Sequence, residues 1–138
     1  MISFTIPGKP VGKERARVVT THGFTRSFTP EQTVIWENKV GYLAAQAGCR
    51  IAEGLFAIHI LITTTIPKSY SKKKASEALA RRYAMGTPDL DNVAKAVMDG
   101  LRGVVYSNDH KVAHVEVLRV YGDDDCTRVD ITNLMNDN

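Results

Sequence analysis

The segment Leu55–Ile66 constrains the fold more than any other part of the chain. It is apolar and β-branched, and Pro67 stops it. Such a run reads as a central strand buried on both faces, which needs further layers around it. The rest of the chain offers those layers. Ile2–Ile6 alternates apolar and polar residues and reads as a half-buried strand, ended by Pro7-Gly8-Lys9-Pro10. Residues 11–28 are polar and basic, with glycines at Gly12 and Gly23, and read as a loop or hairpin.

Thr29-Pro30-Glu31-Gln32 is a capping box that opens a helix running to about Gln46. Val34, Ile35, Val40 and Leu43 are expected among its buried positions, and Gly48 marks its end. Ser71-Lys72-Lys73-Lys74 opens a charged helical segment to Tyr83, and Gly86-Thr87-Pro88 breaks the chain. From Asp91 to Leu101, Val93, Ala96, Val97, Gly100 and Leu101 share one helical face. Val112–Tyr121 and Arg128–Thr132 read as strands, with Asp123-Asp124-Asp125 as a solvated turn between them. This order predicts an α/β (α+β) fold, a small mixed sheet flanked by helices.

At 138 residues the chain is expected to be one domain, residues 1–138, burying about two-thirds of its surface without a disulfide scaffold. The longest wholly apolar run, Leu55–Ile58, is too short to span a bilayer, and no membrane partner is expected. Met1 leads into a β-like stretch rather than a charged-then-apolar signal, so the expected location is cytoplasmic. Cys49 and Cys126 are then expected to be buried thiols rather than a bridge.

The charge is divided along the chain. Residues 1–88 carry 13 Lys/Arg against 5 Asp/Glu, a balance of +8, while residues 89–138 carry 5 against 10, a balance of −5. A basic half joined to an acidic half suits a polyanion partner beside a place that gathers carboxylates; two solvated faces would give the same pattern. The basic residues form two groups. Lys9, Lys13, Arg15 and Arg17 flank the N-terminal loop, and Lys68, Lys72, Lys73, Lys74, Arg81 and Arg82 precede the acidic motif. Phosphate contact is the first use of such residues. Phe24, Arg26 and Phe28 alternate and suit either base stacking or a hairpin with one Phe inward.

The acidic motif is Thr87-Pro88-Asp89-Leu90-Asp91-Asn92-Val93-Ala94-Lys95-Ala96-Val97-Met98-Asp99. Pro88 keeps Thr87 out of helical geometry, so Asp89 and Asp91 fall at a loop-to-helix junction. If residues 89–91 are extended, both carboxylates point to one side. Like charges held that close call for a cation between them, and a hard divalent ion such as Mg²⁺ takes carboxylate oxygens while keeping several waters. Asn92 adds an amide nearby. Lys95 and Asp99 continue the polar stripe at four-residue steps. Helix capping by Asp91 and ordinary i,i+4 pairs account for any one of these residues taken singly. A third anionic ligand is available in Asp109, which is equally a turn residue by pattern alone. The histidines are weaker signals. His110 and His114 lie too far apart along a strand for one metal, and His59 reads as a satisfied core residue.

Together these residues resemble the RusA-type Holliday-junction resolvases, often carried by phages and prophages. The likeness covers nearly the whole chain. It includes the opening strand with Gly8-Lys9-Pro10, the stretch from Pro67 to Lys74, the stretch from Pro88 to Leu101, and Tyr106-Ser107-Asn108-Asp109-His110-Lys111-Val112. The resemblance implies a homodimeric endonuclease that cuts four-way, branched DNA by paired nicks and depends on Mg²⁺, with Mn²⁺ as a substitute. It places the metal-site carboxylates on Asp89, Asp91 and Asp109 and the essential lysine on Lys95. Many members have two adjacent acidic residues before the final strand, and here the first is Asn108. The residues themselves leave two alternatives open: a DNA-binding protein without catalysis, and a metal-dependent nuclease for flaps or RNA.

Overall fold

Two helices lie across one face of a four-stranded mixed sheet, and this computed structural model describes residues 1–13, 17–21, 23–28 and 31–135. For residues 17–19, 21 and 24–28 it describes the backbone alone. The elements in chain order are β1 (Ile2–Pro7), β2 (Arg17–Thr21), β3 (Phe24–Phe28), α1 (Glu31–Gln46), β4 (Phe56–Thr64), α2 (Lys72–Arg81), α3 (Leu90–Leu101), a 3₁₀ turn (Asp109–Lys111), β5 (Val112–Tyr121) and β6 (Cys126–Asn133). The main sheet has the order β1-β6-β4-β5, and β2 and β3 form a separate antiparallel hairpin. β4 pairs antiparallel with β6 and parallel with β5. A parallel neighbour requires a long crossover, and the segment holding α2 and α3 supplies it.

The fold class is the one expected from the order of elements, a mixed α/β domain. Leu55–Ile66 does form an inner strand, trimmed to Phe56–Thr64, but it is not buried on both faces. Ile58, Ile60 and Ile62 point into the core, while His59 between them is exposed. Helices cover only one side of the sheet, so the strand keeps a period of two. His59 is therefore not a core residue; it stands half-exposed on the open face.

The core lies between that covered face and the two helices. Phe4 and Ile6 from β1, the three β4 isoleucines, and Val129 and Ile131 from β6 meet Trp36, Val40 and Ala44 of α1 and Val93, Ala96, Val97 and Leu101 of α3. The α3 face is the one its spacing predicted. In α1 the expectation holds for Val40, which is buried, and for Leu43, which packs partly buried against the core, but Val34 and Ile35 are exposed and Trp36 and Ala44 face inward in their place. The helix obeys the phase that seats its largest side chain in the core. Thr29 and Pro30 of the expected capping box lie outside the described residues. α1 and α3 cross at glycines. A Cβ on Gly100 would stand 2.8 Å from the Glu37 carbonyl and 2.9 Å from Val40 Cβ, so the helices approach more closely than any larger residue allows. That approach sets Glu37 beside Asp99.

α2 stands apart from this core. Only Ala78 is buried on it, and Ser71 caps its start by accepting a hydrogen bond from the Lys74 amide. Both cysteines are free, Cys49 buried and Cys126 half-buried. Asp125 is more than a solvated turn residue: its carboxylate accepts from the Thr65 amide at 2.9 Å, tying the β5–β6 turn to the end of β4. No helix among the described residues is long and apolar enough to cross a membrane.

Candidate active site

The loop after β1 lies directly on the start of α3. The Lys13 amide donates to the Asn92 carbonyl at 2.9 Å. A Cβ on Gly12 would stand 2.6 Å from Pro88 Cβ and 3.1 Å from Asn92 Cβ, so only glycine lets the backbone come this near. The basic N-terminal loop is thereby fixed against the acidic motif, although the two are far apart in sequence.

Asp89 is the residue preceding α3, with extended backbone (φ −60°, ψ 150°), and its side chain makes no capping hydrogen bond. Asp91 lies in the first helical turn, so the two carboxylates leave different backbone geometries rather than one extended strand. Both are exposed. Neither forms an ion pair with another described residue.

Arg119 braces this junction from below. It is buried in β5 and donates to the carbonyls of Gly86 (2.7 Å) and Pro88. Burial pulls its pKa below the usual guanidinium value, and the nearby Asp89 carboxylate opposes that fall. Backbone bonds from Ala84 to the Arg119 carbonyl and from Tyr121 to the Arg82 carbonyl continue the attachment. The segment between α2 and α3 is thus laid along the end of β5, and the Thr87–Pro88 peptide within it is cis.

One to three turns along α3, a charge network follows. Asp99, with a side chain only 12% exposed, sits at its centre. Lys13 reaches Asp99 at 3.3 Å and Glu37 at 2.8 Å; Lys95 and Arg102 reach Asp99 at 3.4 and 3.3 Å. The same two cations also hold Asp109, Lys95 at 3.4 Å and Arg102 at 3.1 Å. Burial would push the Asp109 carboxyl up, but the hydrogen bonds and charges of Lys95 and Arg102 outweigh it and hold the group below its ordinary value. For Lys13, burial pulls the ammonium down, and the two carboxylates overcome it and raise it. Tyr106 closes the floor: it is fully buried and donates to the Met98 carbonyl at 2.7 Å. Burial, then the Asp109 and Asp99 charges, hold its phenol neutral far above the ordinary range.

The structure therefore brings Lys95 and Asp109 into contact and places Asp89 and Asp91 one to two turns away at the helix start. Asn108 accepts a hydrogen bond from the His110 amide and caps the 3₁₀ turn that carries Asp109. That role uses an uncharged amide. Lys13 points its charge inward to two carboxylates. Lys68, Lys72, Lys73, Lys74, Arg81 and Arg82 are all exposed. Lys74 stands over the Tyr70 ring at 4.2 Å. Three lysines in the first turn of α2, with no acidic residue there, oppose the helix dipole and suit an anion bound at that end. Arg15 lies outside the described residues, and for Arg17, Phe24, Arg26 and Phe28 only the backbone is described.

Glu37, Arg102 and Arg119 fall outside both the acidic motif and the two basic groups of the sequence. Arg119 carries a readable signal, an arginine inside the apolar strand sequence Val117-Leu118-Arg119-Val120-Tyr121. A charge in such a strand needs buried acceptors.

The fold and this site define a class: a small α/β domain with a cluster of carboxylates, lysine and arginine along α3 and a strongly basic helix, α2. Residues 7–132 match the family described as Endodeoxyribonuclease RusA, and the chain belongs to that family. It is also similar to YqaN of Bacillus subtilis (strain 168), an uncharacterised protein, at 29% identity over 129 residues that cover 89% of each chain. The chain is thus a member of a family of DNA-cutting hydrolases.

Proposed function

We propose that the protein is a Mg²⁺-dependent endonuclease that resolves four-way DNA junctions. The single observation that carries this reading is the meeting of Asp109 with Lys95 on the α3 face that begins at Asp89 and Asp91, within a chain of this family. The donor chemistry suits the ion, although the three carboxylates do not converge to a single coordination shell in this structure and a metal would have to draw them together. Asp89, Asp91 and Asp109 offer hard carboxylate oxygens, two of them on exposed side chains at a helix start, with room for retained waters. Such an ion supplies an activated water and a counter-charge for the phosphate.

The remaining roles belong to the chain's own side chains. Lys95 is half-exposed and pairs with Asp99 and Asp109; the role assigned to it is contact with a phosphate oxygen or the attacking water. Asp99 and Arg102 set the position of Lys95 and Asp109. Lys13 and Glu37 lock Asp99 in turn. Arg119 fixes the turn that presents Asp89. Lys68, the α2 lysines, Arg81 and Arg82, with Arg15 and Arg17 of the N-terminal basic group, are assigned to the DNA backbone. Lys13 belongs to the same basic group, with its charge shared by two internal carboxylates.

Replacing Lys72, Lys73 and Lys74 by alanine is expected to weaken binding about equally on junctions of different sequence. The salt dependence should become shallower by roughly 0.9 for each duplex phosphate that is no longer neutralised. Filter binding over a salt series measures it; an unchanged slope would remove this helix from the DNA surface.

Resolving a junction takes two opposed nicks, and one chain offers one set of Asp89, Asp91 and Asp109. A two-fold homodimer supplies two sites related by the same symmetry as the junction. The experiment is cleavage of a supercoiled cruciform plasmid together with sedimentation at micromolar concentration. A dimer releasing linear product in one binding event is the expected result. A monomer producing only nicked circles would exclude paired resolution.

A further inference from the structure

The open face of the sheet carries a second group of ligating side chains, remote in the fold from the carboxylates of α3. His59 of β4 stands in register with Glu116 of β5, and His114 lies two residues earlier on the same strand, so all three project from one face. His59 Nδ1 is 3.1 Å from Glu116 Oε2. The His59 and His114 rings stack nearly parallel, 5.3 Å apart with 16° between their planes. One nitrogen from each imidazole and one Glu116 oxygen all lie within 4.8 Å of one another. Among the described residues no other group of three His, Cys, Asp or Glu side chains comes so close. On the other side of His59, β6 places Asp130 in register, held by Arg128 at 3.0 Å.

We propose that His59, His114 and Glu116 bind a borderline-soft divalent cation, Zn²⁺ or a similar imidazole-preferring metal, on the open face of the sheet. Two imidazoles and one carboxylate are the donor set that zinc favours and that Mg²⁺ does not. Metal–ligand bonds of about 2.0–2.2 Å in a tetrahedral site put donor atoms about 3.4 Å apart. The three donors need only small side-chain rotations to reach that spacing. Those rotations are open to them, since the His59 and Glu116 side chains are 50% and 65% exposed. Asp130, in register with His59 on β6, is a carboxylate of the kind that orients a ligating imidazole. Bound metal would fasten β4 to the exposed half of the edge strand β5, which follows directly on the 3₁₀ turn that carries Asp109.

The test is calorimetric titration of the chelator-treated full chain with zinc chloride alone, backed by the visible spectrum of the Co²⁺-loaded protein. One equivalent bound at micromolar zinc, a melting temperature that rises with zinc, and the spectrum of a four-coordinate cobalt site are expected. His59→Gln and His114→Gln should each weaken binding by at least about tenfold. Both side chains lie at the surface, so the variants keep the fold, which circular dichroism checks. Asp91→Asn should leave the zinc isotherm unchanged. No uptake at micromolar zinc, uptake indifferent to both histidine variants, or loss of uptake in Asp91→Asn would each overturn the proposal.

Discussion

Asp91→Asn is expected to abolish DNA cleavage while leaving junction binding intact. The substitution removes one carboxylate charge from the helix start and changes almost nothing else. Asp91 is exposed in the first turn of α3. A negative charge there is worth about 0.3–1 kcal/mol to the helix through its dipole, which is too little to unfold the domain. The loss should instead appear in turnover. Removing one group that stabilises charge in a transition state typically costs about 10²–10³-fold, and a metal ligand belongs at the upper end. Binding should hold or tighten, because an anion facing phosphate has gone. Gel-shift affinity and nicking rate on the same junction separate the two effects. A variant that still cuts at the wild-type rate would remove Asp91 from the metal site.

Arg119→Met is expected to have the largest effect on stability. Methionine replaces the apolar stem of the side chain as far as Nε and lacks the guanidinium carbon and nitrogens beyond it, so the packing of the stem changes little. It removes the donors to the Gly86 and Pro88 carbonyls, both made by a charged group. Hydrogen bonds of that kind contribute about 1.5–3 kcal/mol each, and partial hydration of the freed carbonyls returns some of it. A net loss of about 2–3 kcal/mol follows, read from urea unfolding at constant slope. Cleavage should fall further than the unfolded fraction explains, because the turn that presents Asp89 loses its brace. Unchanged stability would mean that the backbone of residues 86–88 holds itself.

Much of this arrangement was legible in the sequence because it is local. The α3 face at Val93, Ala96, Val97, Gly100 and Leu101 follows helical spacing, and the core uses those residues. Pro88 marked the junction at which Asp89 and Asp91 emerge. The parallel pairing of β4 with β5 is compatible with the long helical segment between them. Two expectations failed for a shared reason, that burial depends on which layers are present. An apolar strand reads as buried on both faces, yet the helices cover one, and His59 falls on the other. In α1 the apolar residues Val34 and Ile35 suit either of two phases, and the seating of Trp36 selects one. Of the charge network only the Lys95–Asp99 pair, four residues apart on α3, was legible; its long-range members were not. Lys13 and Glu37 are 24 residues apart, and Arg119 reaches back 31 and 33 residues to Pro88 and Gly86. Spacing rules compare neighbours on one helix or strand, whereas these contacts exist only once the β1 loop and β5 have been folded against α3. Lys95 illustrates the difference. Spacing paired it with Asp91 or Asp99; the fold keeps Asp99 and adds Asp109 from the 3₁₀ turn.

The central claim, a metal-dependent cut directed to branched DNA, is tested most directly by one measurement. A synthetic four-way junction and a linear duplex of the same sequence are incubated with the protein, each with Mg²⁺ and with chelator. The expected result is paired nicking of the junction only, and only with Mg²⁺. Equal cutting of both substrates, or cutting of the junction in chelator, would contradict it.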